Sequence, residues 1–368
     1  MTSERAWLVS PRWDLAMLLA PSLLAFGLLA FGAARALLHA ALPAWIWIGT
    51  VVFVDVAHVW ATAYRVYLDP REMAARPGLA LGVPALAYVT GVVLYTATSS
   101  GFWRVLAYLA VIHFVRQQYG WVALAGRRRG ASSHLDRYRD AAAIDSATIY
   151  PLLYWHAHLP REIAWLIDGD FIPGLPAWVA AAAWPLHLAI TGAYVARQVV
   201  LVARGRAISI GKNIVIATTW LTWYVGIVAF DSDYAFTVTN VLVHGIPYIG
   251  FVWIHGRQRW TGQSGPVARL FQARALPFFL LPLLGVAFAE EWLWDRSVWH
   301  EHGALFPGAA LHPGPEVLAL LVPLLALPQA VHYVLDGFVW RVRPHNAALV
   351  TTLGLDLPRE TRLAPRAS

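Results

Sequence analysis

The residues of this chain best suited to chemistry are histidines set among polar side chains on otherwise apolar stretches. Gln329, His332 and Asp336 stand at i, i+3 and i+7, so a helix places them on one face with the imidazole between a carboxamide and a carboxylate. Asp55, His58 and Thr62 repeat that spacing. His113 has Gln117 one turn on, and His244 lies between Asn240 and Tyr248, with His255 close to three turns later on the same face. Neutral imidazole is a metal ligand, and a ligating ring gives its second N–H to a carboxylate or amide that fixes the tautomer. The pattern therefore predicts a metal held by His58, His113, His244, His255 and His332, with Asp55, Gln117, Asn240, Gln329 and Asp336 behind the rings. Asp55, Asp336, Tyr64, Arg116 and Tyr333 are the candidate catalytic groups. The arginine and the tyrosines, with Arg65 and Tyr119, could equally order water or hold a polar head group. A single histidine in a helical bundle is more often an interhelical hydrogen bond. Repetition over four segments is what favours a shared site.

The remaining histidines read differently. His156 and His158 sit at a segment end and point to different faces, His187 reads as a packing residue, and His300, His302 and His312 belong to a Pro- and Gly-containing loop. There, solvation is the simpler reading than a metal site.

The elements that must position these residues follow from composition. Of 368 residues, 58% are hydrophobic and 13% charged, too little charge to cover a soluble protein of this size, so the chain reads as an all-α integral membrane bundle. Without cysteine it has no disulfide, thiolate metal site or cysteine nucleophile. The net charge of +7 is dispersed between apolar runs, which marks topology and not nucleic-acid binding. Segments 14–38, 43–66, 79–98, 102–125, 141–160, 177–203, 211–230, 234–256, 273–294 and 315–340 are each near the ~20 residues a membrane-spanning helix needs. Of the 28 Arg and Lys residues, 23 fall at the termini or in alternate loops, the positive-inside signature of about ten spans with both ends in the cytoplasm. Residues 1–368 form one transmembrane domain, with a basic interfacial stretch at 127–140 and an outer loop at 295–314. Arg5 and Arg12 precede a first apolar run that lacks a small-residue cleavage site, so no cleaved signal peptide is expected. The expected location is a bacterial inner membrane. Segments 2, 4, 8 and 10 run the same way, which brings their histidines to similar depth.

Nitrogen ligands without thiolates suit iron, with zinc and copper as alternatives. A site inside a bundle and open to lipid takes a lipophilic substrate. Unactivated C–H or C=C bonds in such a molecule call for dioxygen chemistry, with O2 as co-substrate and a reductase as a candidate partner. P-loop, glycine-fingerprint, G-x-S-x-G and H-E-x-x-H patterns are absent. The motifs His332…Asp336 and His244-Gly245-Ile-Pro247 resemble those of the membrane carotene dioxygenases related to bacterial retinal synthesis proteins. That resemblance implies a non-haem iron held by about four histidines and cleavage of a long polyene; the broader expectation is a lipid, isoprenoid or carotenoid-like substrate. The chain lacks the H-x-x-H-H boxes of membrane desaturases. Two further classes remain open on the residues alone. One is an intramembrane zinc hydrolase using Asp55 or Asp336; the other is a transporter or haem electron carrier with paired axial histidines.

Overall fold

The computed structural model describes residues 6–128, 133–272, 274–342 and 346–352. Arg5, Arg129, Arg343, Arg359, Arg362 and Arg366, which entered the loop-charge argument, lie outside the described residues. Among the described residues all regular structure is helical. The long helices coincide with the expected segments: α1 (Pro11–Ala34), α2 (Ala44–Arg65), α3 (Pro77–Ala97), α4 (Ser99–Arg128), α5 (His134–Ala157), α6 (Ala177–Ala203), α7 (210–229), α8 (Asp233–Arg259), α9 (Leu276–Trp299) and α10 (Pro315–Val339). Seven of them, all but α4, α5 and α7, are long and apolar enough to cross a membrane, so the chain is a helical membrane bundle. Polar residues explain the other three: α4 carries Arg104, Arg116, Gln117 and Gln118, α5 carries Asp136, Arg137, Arg139, Asp140 and Asp145 in its first half, and α7 opens with Lys212 and Asn213.

Burial orders the helices. In α8, 83% of the apolar window is enclosed by protein, against 11% in α3 and in α6, so α8 is the central element and the other two face outward. Their exposed leucine, valine and tryptophan side chains, such as Leu86, Val93, Trp178 and Val199, suit lipid and would be costly in water. Around α8, Val56 of α2, Tyr248 and Val252 of α8 and Phe279 and Leu283 of α9 form one apolar cluster.

Polar ties fix the direction of the histidine-bearing helices. At the end of α2, Arg65 donates to Glu72 at 2.7 Å and to the Val339 carbonyl at the end of α10 at 3.1 Å. Arg259 at the end of α8 pairs with Asp69 at 2.6 Å, and Arg127 at the end of α4 donates to the Val342 carbonyl at 3.1 Å. The C-terminal ends of α2, α4, α8 and α10 therefore meet at one end of the bundle, as parallel helices require. At that end Lys212 also reaches both oxygens of Asp140 at 2.7 Å. Nearby, the chain entering α1 is tied down by Asp14, which accepts the N–H groups of Leu8 and Val9 at 2.6 and 2.9 Å.

Local chemistry shapes the elements around the site. In α2 the stretch Ile48–Val56 is π-helical up to the residues before His58, and in α8 the stretch Thr237–Val241 is π-helical just before His244. The i→i+5 pattern re-aims side chains that a uniform α-helix would stack. α10 breaks at Ala326, where Pro328 cannot supply a backbone donor, and restarts at Leu327 to carry His332. In the basic stretch 127–140, Arg127 and Arg128 finish α4, residues 129–132 lie outside the described residues, and Ser133 caps α5 by accepting the Asp136 N–H at 3.1 Å. At the start of the stretch 295–314, Asp295–Trp299 continues α9 until His300 turns left-handed at φ 58°.

Candidate metal centre

Four of the five proposed ligands converge. His58 from α2, His113 from α4, His244 from α8 and His332 from α10 each offer a nitrogen, and these atoms lie within 4.8 Å of one another. All are buried, at 1%, 5%, 0% and 0% exposure respectively. Ring centroids are 4.6 Å apart for His58 and His244, 4.7 Å for His58 and His332, 4.5 Å for His113 and His332, and 5.1 Å for His113 and His244. The Nε2 atoms of His113 and His332 are 3.1 Å apart. Two nitrogens bound at about 2.1 Å to one ion lie about 3 Å apart at a right angle and about 4.2 Å apart when opposite, so the His113–His332 pair has the spacing of adjacent ligands and the whole set, within 4.8 Å, needs only a small closure around an ion.

Unpaired donors and acceptors test the fit independently. Both nitrogens of His58 and both of His244 are buried without a hydrogen bond. An orphaned buried polar atom costs about 1–3 kcal/mol, and a metal at the common point would take up one lone pair from each ring. Phe114 stacks on His244 at 3.4 Å between ring centroids and holds that ring in plane.

His332 has its tautomer set by a chain of hydrogen bonds. Tyr248 donates to Asp336 at 2.7 Å and so has spent its only proton. Thr62, 3.0 Å from the Tyr248 oxygen, must donate to it. That leaves the Thr62 oxygen to accept from His332 Nδ1 at 2.6 Å. The proton therefore sits on Nδ1, and Nε2 turns its lone pair toward His113 and the centre.

The other expected groups divide. His255 lies outside the cluster: it shares the face of His244 but is displaced roughly 16 Å along the helix, and its ring packs 5.5 Å from that of Trp340. Asp336 is 3.8 Å from His332 Nδ1 and acts on it through Tyr248 and Thr62, not directly. Asp55 approaches His58 Nδ1 at 3.5 Å without hydrogen-bond alignment. Gln117 gives its amide to the His244 backbone carbonyl at 3.1 Å, which ties α4 to α8, and its side chain is also a hydrogen-bond neighbour of His113, as its place one turn on predicts. Asn240, re-aimed by the π turn, donates to the Phe236 carbonyl and Thr239 and packs against Gly226, away from the His244 ring. Gln329 donates to Glu290 at 3.2 Å and not to His332. Tyr64 donates to the Phe279 carbonyl at 3.1 Å, a structural tie between α2 and α9. Arg65 is an ion-pair residue at the bundle end. Tyr333 does reach the centre, with its ring 5.1 Å from that of His113. Arg116 lies over the Tyr119 ring at 4.8 Å, on the wall of an adjoining cavity.

That cavity has a volume of about 530 Å³ and reaches His113, Tyr248, Tyr333 and Asp336. His113 is the only one of the four ligands on its wall. Two carboxylates escaped the sequence reading: Glu290 is buried, accepting from the indole N–H of Trp60 at 2.5 Å, and Glu291 beside it is 8% exposed. An adjacent acidic pair inside the apolar run of α9 was the available signal. Elsewhere, His156 bonds Tyr108 at 2.9 Å and His187 bonds Ser146 at 2.8 Å, and neither joins a group of ligands. No family model, curated protein or solved structure matches this chain.

Proposed function

We propose that this chain is a membrane-embedded, histidine-ligated metal enzyme, a non-haem iron oxygenase acting on a lipophilic substrate. The observation that carries the reading is the convergence of His58, His113, His244 and His332 from four helices, two of them with both nitrogens unpaired. Iron is chosen because four neutral nitrogens without thiolate suit it, and because a centre walled by aromatic and aliphatic side chains suits a substrate with no acid–base handle. When bound, the metal supplies dioxygen activation. The chain's own residues do the rest: the Thr62–Tyr248–Asp336 chain fixes the His332 tautomer, Phe114 fixes the His244 ring, and Tyr333 shapes the cavity beside His113. Asp55, whose Oδ1 is without a hydrogen bond beside His58, is the nearest carboxylate to act as a proton acceptor.

The same reading takes the ten helices as ten spans with both termini in the cytoplasm of a bacterial inner membrane, with a reductase as electron donor. The kinship with carotene-dioxygenase-like proteins belongs to this proposal and is supported by the motifs and the four-histidine set alone. A zinc-dependent lipid hydrolase is the second reading, favoured by the unpaired Asp55 oxygen next to a ligand. A haem with axial histidines is disfavoured, because a macrocycle between either ring pair would pass through the space of the other two. The test is elemental analysis of the purified protein combined with oxygen-uptake measurements on extracted membrane lipids and isoprenoids. Stoichiometric iron and substrate-dependent oxygen uptake support the proposal; zinc with oxygen-independent turnover would move the assignment to the hydrolase.

A further inference from the structure

The cavity beside His113 has a chemical polarity that the proposed reaction does not require. On α4 the residues His113, Gln117, Gly120, Leu124 and Arg127 follow one another at helical spacing, and all face it. Its wall from Gln117 to Leu124 is built largely of apolar and aromatic side chains, Trp121 and Phe251 among them, and it ends at Arg127 and Arg341. A third arginine on the wall, Arg116, lies over the Tyr119 ring and has Asp145 as a charged neighbour. From His113 to Arg127 the lane is about 21 Å long, at 1.5 Å per residue. Arg127 spends one N–H on the Val342 carbonyl, and the Arg341 guanidinium lies over the Phe338 ring at 4.9 Å. Neither has a carboxylate within ion-pair distance among the described residues, whereas Arg65, Arg76 and Arg259 at the same end of the bundle each have one. Both side chains are exposed at the mouth. The one acid on the wall, Asp336, lies at the metal end and is bound to Tyr248.

We propose that this lane holds a single-chain amphiphile with an anionic head: the carboxylate or phosphate rests between Arg127 and Arg341, and the hydrocarbon chain runs along α4 to His113. Arginine suits such a head because its planar fork matches the two oxygens of a carboxylate or phosphate. The volume lies within the roughly 300–1,000 Å³ of small-molecule sites. This inference rests on the metal-enzyme reading for the fate of the chain, but its binding claim stands apart from it. A hydrocarbon without a head group, such as a carotene, would leave the guanidinium groups of Arg127 and Arg341 at the mouth without a counter-charge.

The experiment is native mass spectrometry of the detergent-purified full chain with palmitate, hexadecyl phosphate, hexadecanol, hexadecyltrimethylammonium and a two-chain phosphatidylglycerol, with metal content measured on the same samples. Palmitate and hexadecyl phosphate should form one-to-one adducts, bound at least about tenfold more tightly than the alcohol and the cationic amphiphile. Arg127→Gln and Arg341→Gln should each cost about tenfold in that affinity, Arg127→Lys and Arg341→Lys much less, and metal content should stay at the wild-type level in all four. Equal affinity for all four single-chain probes, indifference to the glutamine substitutions, or stronger binding of the two-chain lipid would each overturn the inference. Loss of the metal reading would show separately, as wild-type protein that binds palmitate in this way but carries no metal.

Discussion

Gly245 gives the sharpest steric test of the metal centre, since it follows a ligand and sits where α8 crosses α2. A Cβ built on Gly245 would lie 2.6 Å from Val54 Cγ1 and 3.0 Å from the Val54 carbonyl oxygen. Carbon atoms in contact keep about 3.5–4.0 Å, so Gly245→Ala must part the two helices by about 1 Å. His244 and His58 ride on those helices next to this contact, and a designed site tolerates only about 0.5 Å of displacement. Overpacking of this kind costs about 1–3 kcal/mol, equivalent to a roughly 5- to 150-fold weaker metal affinity if the strain is released by letting the ligands separate. Chelator-competition titration of metal into the metal-free protein measures it directly. Gly285→Ala in α9, with no atom within 4 Å of its added Cβ, is the matched control and should leave affinity unchanged. Val54→Ala removes the closer of the two obstacles, so the double substitution Val54→Ala with Gly245→Ala should recover part of the loss. If Gly245→Ala binds metal as tightly as wild type while Gly285→Ala does the same, the reasoning from the α2–α8 crossing to ligand geometry is wrong.

Other outcomes follow from the same coordinates. Thr62→Val keeps the shape but leaves His332 Nδ1 without its acceptor and the Tyr248 oxygen without its donor, and should lower metal affinity about 10- to 100-fold in the same titration. His332→Ala should abolish stoichiometric metal, whereas His255→Ala should retain it; metal lost from His255→Ala would place His255 wrongly, and metal kept by His332→Ala would remove His332 as a ligand. Lys212→Met leaves the buried Asp140 carboxylate unpaired at the bundle end and should destabilise the fold by about 3–5 kcal/mol, read as a lower melting temperature. Replacing both partners, Lys212→Met with Asp140→Leu, should regain most of that stability, and failure to do so would remove the ion pair as the cause.

The helices and the four converging histidines were legible because membrane burial makes both signals strong. Apolar runs near twenty residues leave few alternatives to helix, and an imidazole such as His332 in the middle of one is costly enough to need a purpose. Loop charge placed α2, α4, α8 and α10 in parallel, and that common direction is what gave His58, His113, His244 and His332 a shared depth. His255 falls outside the group because sharing a face with His244 does not offset eleven residues, roughly 16 Å, of displacement along the helix. The partners of the imidazoles were harder to read. One-turn spacing nominated Asn240 for His244, but the π-helical stretch Thr237–Val241 shifts the register, and a local pattern search assumes a uniform helix. Gln329 sits one turn from His332 yet bonds Glu290 on α9, a competition between helices that neighbouring residues cannot announce. Thr62 stood in the stripe with His58 and instead serves His332, because a helix face inside a bundle meets more than one neighbour.

The central claim is that four histidines from four helices hold one metal ion, and X-ray absorption at the metal edge of the purified wild-type chain tests it most directly. The account predicts one metal per chain with about four nitrogen scatterers near 2.1 Å and the outer-shell pattern of imidazole rings, all lost in His58→Ala. Protein that carries no stoichiometric metal and takes up none on reconstitution, or metal surrounded only by oxygen, would contradict it.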